Sequence, residues 1–456
     1  MTRSARTISQ VGSYKIPTRK FKIPCDVNGN PLRVSEYYGE NLFDFMKSEI
    51  LTKQDKTDLQ EILCKRKDLT KEMAEKFANA VLNWSTNKGA THFTHWFQPM
   101  TGSTAEKHDA FLSIEGGKPI EKLSASQLIQ GEPDASSFPH GGSRSTFEAR
   151  GYTSWDLSSP IFLRSHENGK TLIIPTAFVS YHGDALDVKT PLLRSITQLS
   201  KSATKFLNLV NDSSRAEDEH TDIDVSCGCE QEYFLIDKAL FFQRADLVMG
   251  GRTLFGANTS RNQQLDDHYF GTIPARVLAY MQEVEVELYK IGVPAKTRHN
   301  EVAPGQFELA PIFSSANTAV DQNQMVMSIM ESVAVKHDMI CLLHEKPFMG
   351  VNGSGKHLNW SMGNAKAGNL LEPTSSPHTN YRFLAMISII CEALNRHGGS
   401  LRTAIASHSN DHRLGANEAP PSIISAFLGD TLTKILDAYA EGKAYKDKNE
   451  GFLDLG

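Results

Sequence analysis

The sequence predicts an α+β chain, and three observations carry that reading. From Ala90 to about Pro175, short aromatic and threonine-rich runs are broken by Gly and Pro clusters, the pattern of a small β-rich domain. Beyond it, residues 191–211, 273–291 and 316–345 place apolar residues at three- and four-residue steps, the period of long helices. Strand-like runs alternate with those helices. The clearest is Cys227-Gly-Cys-Glu-Gln-Glu-Tyr-Phe-Leu-Ile-Asp237, rich in aromatic and branched residues and ending at a polar Asp-Lys step.

In chain order, residues 1–25 hold no acidic residue and several Lys or Arg, a weak likeness to an organellar transit peptide. They lack an amphipathic arginine-and-leucine period, so a cytoplasmic location is expected. Residues 40–84 alternate charged and apolar groups at helical spacing, which predicts the helices of an N-terminal extension. The β-rich domain follows. Gly292 is the expected stop of the second long helix. The methionine-rich face from Met325 to Met339 is expected to be core packing. Residues 422–448 read as a last helix.

Composition narrows the function. With 456 residues, 40% hydrophobic and 22% charged, the chain has room for two or three domains. A net charge of −5 argues against a nucleic-acid partner, and no apolar run approaches the roughly 20 residues of a membrane span. Six scattered cysteines make no disulfide framework. Cys227 and Cys229 read as strand residues, and His408 with His412 reads as loop rather than a helical zinc pair.

The chemistry concentrates in three segments. In Thr297-Arg-His-Asn-Glu-Val-Ala-Pro-Gly-Gln-Phe-Glu-Leu-Ala-Pro311, Pro304-Gly305 is a turn signal. A tight fold-back there would set Ala303 opposite Gln306, Val302 opposite Phe307, and Glu301 opposite Glu308. Two carboxylates opposed at about 5 Å between Cβ atoms repel, so a cation is expected between them. In the strand around Cys227–Asp237, Glu230 and Glu232 are two apart and share a face. Together these glutamates supply the several oxygen ligands that Mg²⁺ demands. The third segment, Gly350-Val-Asn-Gly-Ser-Gly-Lys-His-Leu-Asn-Trp-Ser361, almost spells a phosphate-binding P-loop. His357 stands where a Ser or Thr is required, and Leu-Asn-Trp-Ser reads as extended, so a P-loop NTPase is only the formal rival. A glycine-rich loop followed by His357 suits a small polar substrate, held by backbone N–H groups beside a metal site.

These residues resemble glutamine synthetase, specifically its type III class. The likeness also runs through Thr91-His-Phe-Thr-His-Trp-Phe97, Gly131-Glu-Pro-Asp-Ala-Ser-Ser-Phe-Pro139, Arg144-Ser-Thr-Phe-Glu-Ala-Arg-Gly-Tyr152 and Ala404 to Pro421, most of the chain from about residue 85 onward. It implies Glu232, Glu301 and Glu308 as ligands of the metal nearer glutamate, and Glu230 and His357 as ligands of the metal bridging the nucleotide phosphates. Asn352 and Gly353 match the loop that holds glutamate. Ser361 matches a nucleotide-contacting position, with Asn359 standing where types I and II carry a second histidine. Asp134 resembles the aspartate that binds and deprotonates ammonium, and Glu418 the flap glutamate. Arg413 is the nearest match to a substrate-binding arginine, with one residue fewer before the flap glutamate than in type I enzymes.

The resemblance further implies Mg²⁺ or Mn²⁺, with ATP, glutamate and ammonium as substrates and a γ-glutamyl phosphate intermediate. Its architecture is a β-grasp domain (86–178) after an extension (1–85), then a catalytic domain (179–456) on a curved antiparallel sheet with packed helices. Homo-oligomers of hexameric rings or dodecamers are implied, with sites formed between neighbouring subunits. An inactive family member with a regulatory or structural role, and a ligase for another amine, are the alternatives. The family also has arginines and an acidic ligand downstream of the flap, which nothing after Glu418 supplies. The 456-residue chain alone is therefore expected to show little or no γ-glutamyl transfer.

Overall fold

The computed structural model describes residues 7–8, 11–12, 15–63, 67–100, 102–132, 151–210, 222–257, 263, 265, 268–414 and 424–445. Helices α1 (Lys53–Leu63) and α2 (Lys71–Asn87) match the helical spacing predicted over residues 40–84. The Thr70 side chain caps α2 by accepting from Met73 N. Met73, Phe77 and Val81 recur at four-residue steps and are buried along one face. That face packs on Phe93, Leu163, Leu172 and Ile174 of the first sheet.

The strands of this half are β1 (Ala90–Trp96), β2 (His108–Ala110), a hairpin of β3 (Leu112–Glu115) and β4 (Lys118–Glu121), β5 (Gln130–Gly131), β6 (Gly151–Trp155), β7 (Phe162–His166) and β8 (Gly169–Ser180). Six of them form a mixed sheet in the order β2-β1-β8-β6-β5, with β7 also on β8. β1 and β8 run parallel.

Helix α3 (Lys189–Val210) leads to the second sheet, built on the long strand β9 (Asp224–Asp237). Helix α4 (Ala275–Lys290) stops at Gly292, whose φ of +75° is easy only for glycine. Strands β10 (Ala295–Asn300), β11 (Gln306–Pro311) and β12 (Ser314–Ser315) precede helix α5 (Ala316–Lys336). Strands β13 (Met339–Leu342), β14 (Lys356–Asn364) and β15 (Gly368–Asn369) complete an antiparallel sheet in the order β10-β11-β9-β14-β15, with β12 and β13 also on β9.

The third long helix is shorter than its periodicity predicts. It ends at Lys336 because Asp338 turns left-handed at φ +54°, and Met339–Leu342 pairs with β9 instead. Arg276 fixes that corner by donating to His337 O and Asp338 O. The methionines are core, as expected for Met325 and Met330, while Met339 belongs to the strand. The last helix is also shorter than predicted: helix α6 (Tyr381–Ile405) is followed by α7 (Gly429–Ala440), bounded by Gly429 and Gly442, both at positive φ. Among the described residues no helix is long and apolar enough to cross a membrane.

Alternation along β9 and β11 separates core from site. Tyr233, Leu235, Phe307 and Leu309 pack on Tyr280 and Val284 of α4 and Met325 and Met330 of α5. Each such side chain contributes roughly 1.5–3 kcal/mol by leaving water. Glu230, Glu232 and Glu308 take the alternate positions and face the other way. Trp96, Phe162 and Ile173 of the first sheet join the same core cluster, so the two sheets share a hydrophobic contact.

A polar joint reinforces that contact. Lys189, only 1% exposed, lies 3.0 Å from Asp156 Oδ2 and 2.6 Å from Asp321 Oδ2, linking the first sheet, α3 and α5. A second polar cluster ties the N-terminal segment to α4 and the end of α5: Arg19 Nε donates to Glu283 Oε2 at 2.9 Å, and His337 Nε2 lies 2.8 Å from the same oxygen. Burial alone would raise the Glu283 carboxyl, but the hydrogen bonds from His337 and Arg19 prevail and hold its pKa down at about 2. A carboxylate with a depressed folded pKa stabilises the protein above its unfolded pKa, near 4.5, and that stability is lost as pH falls toward about 2. Glu283→Gln is therefore expected to destabilise the protein at neutral pH by on the order of 2 kcal/mol. Denaturant unfolding at stepped pH should show the gap between parent and variant closing below about pH 4.5. A gap that stays constant through that range would remove Glu283 as its source.

Candidate metal and substrate site

The register of the second sheet gathers the predicted carboxylates. Across β9, Glu230 stands opposite His357 of β14, and Glu232 opposite Glu308 of β11. Glu230 Oε2 lies 2.9 Å from His357 Nδ1, and Glu230 Oε1 accepts from Asn359 Nδ2 at 3.0 Å. Ser361 follows His357 and Asn359 on the same face of β14, where its hydroxyl bonds Asn369 Oδ1.

The hairpin differs from the predicted one. Its turn is at Pro304-Gly305, with Gly305 at φ +79° and Gln306 N donating to Ala303 O at 3.0 Å. Yet His299, not Glu301, stands opposite Glu308, and Asn300 opposite Phe307. The physical reason is turn geometry. A Pro-Gly turn of this kind does not match the strand twist needed for a two-residue hairpin, so the incoming arm bulges. The Gln306 side chain secures the bulge by accepting from Ala303 N at 3.1 Å. The slip is two residues, so side-chain parity survives and Glu301 remains near Glu308.

His299 occupies the place where the repulsion argument demands a positive group. Its Nε2 lies 2.9 Å from Glu308 Oε2 and its Nδ1 3.8 Å from Glu301 Oε2. One ligand atom each from His299, Glu301 and Glu308 falls within 4.8 Å of the others. The ring Nδ1 is 2.7 Å from Asn300 O; with a proton donated there, neutral His299 aims its Nε2 lone pair at a carboxylate. Two lone-pair donors in that position call for a proton or a metal ion between them. Glu232, Glu301 and Glu308 are all buried. Burial, with Glu232 close by, raises the Glu308 carboxyl above its ordinary range. Carboxylate oxygens with an imidazole suit a hard divalent cation.

The glycine-rich loop lies against these carboxylates. Gly355 N donates to Glu232 Oε2 at 2.9 Å. Gln306 Nε2 lies 3.2 Å from the same oxygen and 2.9 Å from Gly353 O. Gly353 is required by close approach: a Cβ there would sit 2.3 Å from Glu345 O. Asn352 is buried, and its Oδ1 accepts from Gln263 Nε2 at 2.6 Å. The loop leads into strand β14 rather than a helix, which removes the P-loop alternative. Arg413 reaches the same loop, its Cγ 3.3 Å from the place a Gly353 Cβ would take.

The structure thus brings together Glu230, Glu232, Glu301, Glu308, His357, Asn352, Gly353, Asn359 and Arg413, with Ser361 farther along β14. Asp134 and Glu418 lie outside the described residues. Sequence reasoning missed His299 and Gln306. Each is two residues from a chosen glutamate in strand-like sequence, so the two-residue rule that linked Glu230 to Glu232 applies to both.

Two family sequence profiles match the chain: one described as glutamine synthetase type III N terminal over residues 34–195, the other as glutamine synthetase, catalytic domain, over residues 211–395. The chain is 46% identical over 434 residues to type-3 glutamine synthetase of Dictyostelium discoideum, covering 94% of this chain and 58% of that protein. It is 48% identical over 416 residues to glutamine synthetase of Bacteroides fragilis (strain YCH46), covering 91% of this chain and 56% of that protein. The chain therefore spans a little over half the length of these relatives. A cryo-EM structure of Plasmodium falciparum glutamine synthetase shares the fold, with a TM-score of 0.54 and 16% identity over 75% of this chain and 63% of that one.

Proposed function

Because the chain belongs to the type III glutamine synthetase family, we propose that it supplies the metal-binding sheet and substrate loop of an ATP-dependent glutamate–ammonia ligase. The observation that carries this reading is one sheet face holding Glu230, Glu232, Glu308 and His357 beside a glycine-rich loop bonded to Glu232. A loop that meets its ligand with backbone groups suits glutamate, and a cluster of buried carboxylates suits bound cations. A regulatory subunit would gain nothing from keeping such like charges together.

Bound Mg²⁺ or Mn²⁺ would neutralise charge on the phosphoryl group passing from ATP to the glutamate γ-carboxylate. In this reading Glu232, Glu301 and Glu308 hold the ion nearer glutamate, and Glu230 and His357 hold the one nearer the nucleotide. His299 orients Glu308. Asn352 and Gly353 hold glutamate, with Arg413 pairing its carboxylate, and Asn359 and Ser361 contact the nucleotide. Asp134 takes a proton from ammonium so that the nitrogen lone pair is free to attack. Glu418 closes the site against water, which would otherwise hydrolyse the acyl phosphate. We read 86–178 as a β-grasp domain after the 1–85 extension, 179–456 as catalytic, and the assembly as a cytoplasmic homo-oligomer of six-membered rings.

Phosphate release by the assembled, intact protein tests the reaction. It is expected to require ATP, glutamate and ammonium together, and ethylamine or polyamines should not replace ammonium. Release supported by those amines alone would make this a ligase for another amine. Asp134→Asn is expected to bind ATP as the parent does while losing about 10²-fold or more in kcat/KM for ammonium. Parental efficiency in that variant would remove Asp134 from the role.

A further inference from the structure

Arg413 ends a short 3₁₀ turn, Asn410–Arg413, that follows α6. The bonds that shape this turn are local. Asn410 Nδ2 donates to Ile405 O at 2.8 Å, Asp411 N to Ser407 O at 3.1 Å, and the Ser407 and Ser409 hydroxyls are 3.1 Å apart. Among the described residues, one hydrogen bond joins residues 406–414 to a segment beyond α6: Arg252 Nη1 to His412 Nε2, at 2.9 Å. A guanidinium only donates, so Nε2 must present its lone pair and His412 is neutral in this arrangement.

Arg252 and its neighbours are in turn fixed to the base of the glycine-rich loop. Thr253 N and Oγ1 both donate to Pro347 O, at 2.9 and 3.1 Å. Ser354 N donates to Glu345 O at 2.8 Å. His344 lies beside His412 with ring centroids 6.2 Å apart and 29° between planes, and 6.4 Å from His408. His344 Nδ1 accepts from Lys346 N at 2.9 Å, so this imidazole is neutral as well.

We propose that the Arg252–His412 hydrogen bond is the tether that holds Arg413 against the glycine-rich loop, and that protonating His412 releases it. His412 is then a positioning residue, acting through Arg413. The proposal rests on reading that loop and Arg413 as the glutamate site.

The chemistry of release is simple. A protonated His412 has donors on both ring nitrogens, so its Nε2–H would meet an Nη1–H of Arg252 and the acceptor would be gone. Two cations would also stand at contact distance. The charged groups around the cluster are Arg252, Arg413, Asp411 and Glu345, and Lys346 turns its ammonium to Val351 O. His344 and His408 are the remaining titratable neighbours. His412 is exposed, so protons reach it directly. Imidazoles gain charge across the range in which cells and compartments differ in pH.

Amide hydrogen exchange at Ser354, corrected for intrinsic rates, tests this in the intact protein without substrate. The variants are His412→Ala, which has no acceptor, and His412→Gln, whose side-chain oxygen can accept from Arg252 but does not titrate. The parent is expected to lose about tenfold in Ser354 protection between about pH 8 and about pH 5.5. His412→Ala should lack that protection at both pH values, and His412→Gln should keep it at both. Equal protection of Ser354 in parent and His412→Ala would overturn the tether. So would a loss at Ser354 matched by an equal loss at Tyr233 in β9, which would make His412 a residue of general stability. Calorimetric titration with glutamate separates the underlying reading. Ser354 responding as stated, with no glutamate bound by any variant, would leave the tether standing and sink the substrate assignment.

Discussion

Glu301→Ala and Glu308→Ala are each expected to abolish stabilisation of the protein by Mg²⁺ or Mn²⁺ while leaving the metal-free melting temperature close to the parent's. The asymmetry follows from the electrostatics. Glu301 and Glu308 are buried around His299, and burial together with Glu232 raises the Glu308 carboxyl. Removing one charge relieves repulsion in the metal-free protein, which offsets the packing lost with the side chain. The cation's own contribution disappears with its ligand. A site saturated a hundredfold above its dissociation constant stabilises the folded state by about 2.7 kcal/mol, a shift that thermal melts at rising metal concentration can read. Glu301→Gln and Glu308→Gln separate charge from volume and should behave like the alanine variants toward metal. Equal metal stabilisation in parent and variants would remove these glutamates from the ligand set.

The face of each strand was readable because it depends only on two-residue spacing. Glu230 and Glu232 share a side of β9 whatever else the chain does, and the core residues Tyr233 and Leu235 fall on the other. The Pro304-Gly305 turn was equally local. The register beyond it was not, because it depends on how the turn's twist meets the strands and on a side-chain bond from Ala303 N to Gln306. Helix length failed for a related reason. Apolar steps continue through Met339, and nothing local reveals that Asp338 turns left-handed or that β9 offers Met339–Leu342 a partner. The family resemblance assigned roles to glutamates that spacing could only pair. It did not supply His299 or Gln306, which emerge from the register.

Least readable of all was Lys189, which sequence alone would place on the surface. Its burial depends on Asp156 and Asp321, the latter 132 residues away, and its replacement should have the largest effect on stability. One ammonium faces two carboxylates, and the remaining negative charge is shared by neighbouring donors. Gln98 Nε2 donates to Asp321 Oδ1 at 2.6 Å, and Ser159 Oγ to Asp321 Oδ2 at 2.8 Å. Burial alone would raise Asp156, but Lys189 outweighs it and holds that carboxyl down; at Asp321 burial prevails and the carboxyl is raised. Lys189→Met keeps the volume and removes the charge, leaving two buried carboxylates without a cation. The expected cost at neutral pH is about 3–5 kcal/mol. Without Lys189 both carboxyls should have folded pKa values above their unfolded ones, so they favour the folded variant only at low pH and lose that contribution as pH rises. The deficit should therefore shrink as pH falls from 7 toward about 4, and adding Asp156→Asn and Asp321→Asn should recover much of it. Denaturant unfolding of the parent, Lys189→Met and the triple variant across pH checks each step, and a cost below about 1 kcal/mol for Lys189→Met would show that the cluster is not the anchor. The carboxylates proposed to hold metal sit on β9 and its neighbours rather than on this joint. Folded Lys189→Met should thus still gain stability from Mg²⁺ or Mn²⁺, which separates the residues that join the two sheets from those proposed to hold a cation.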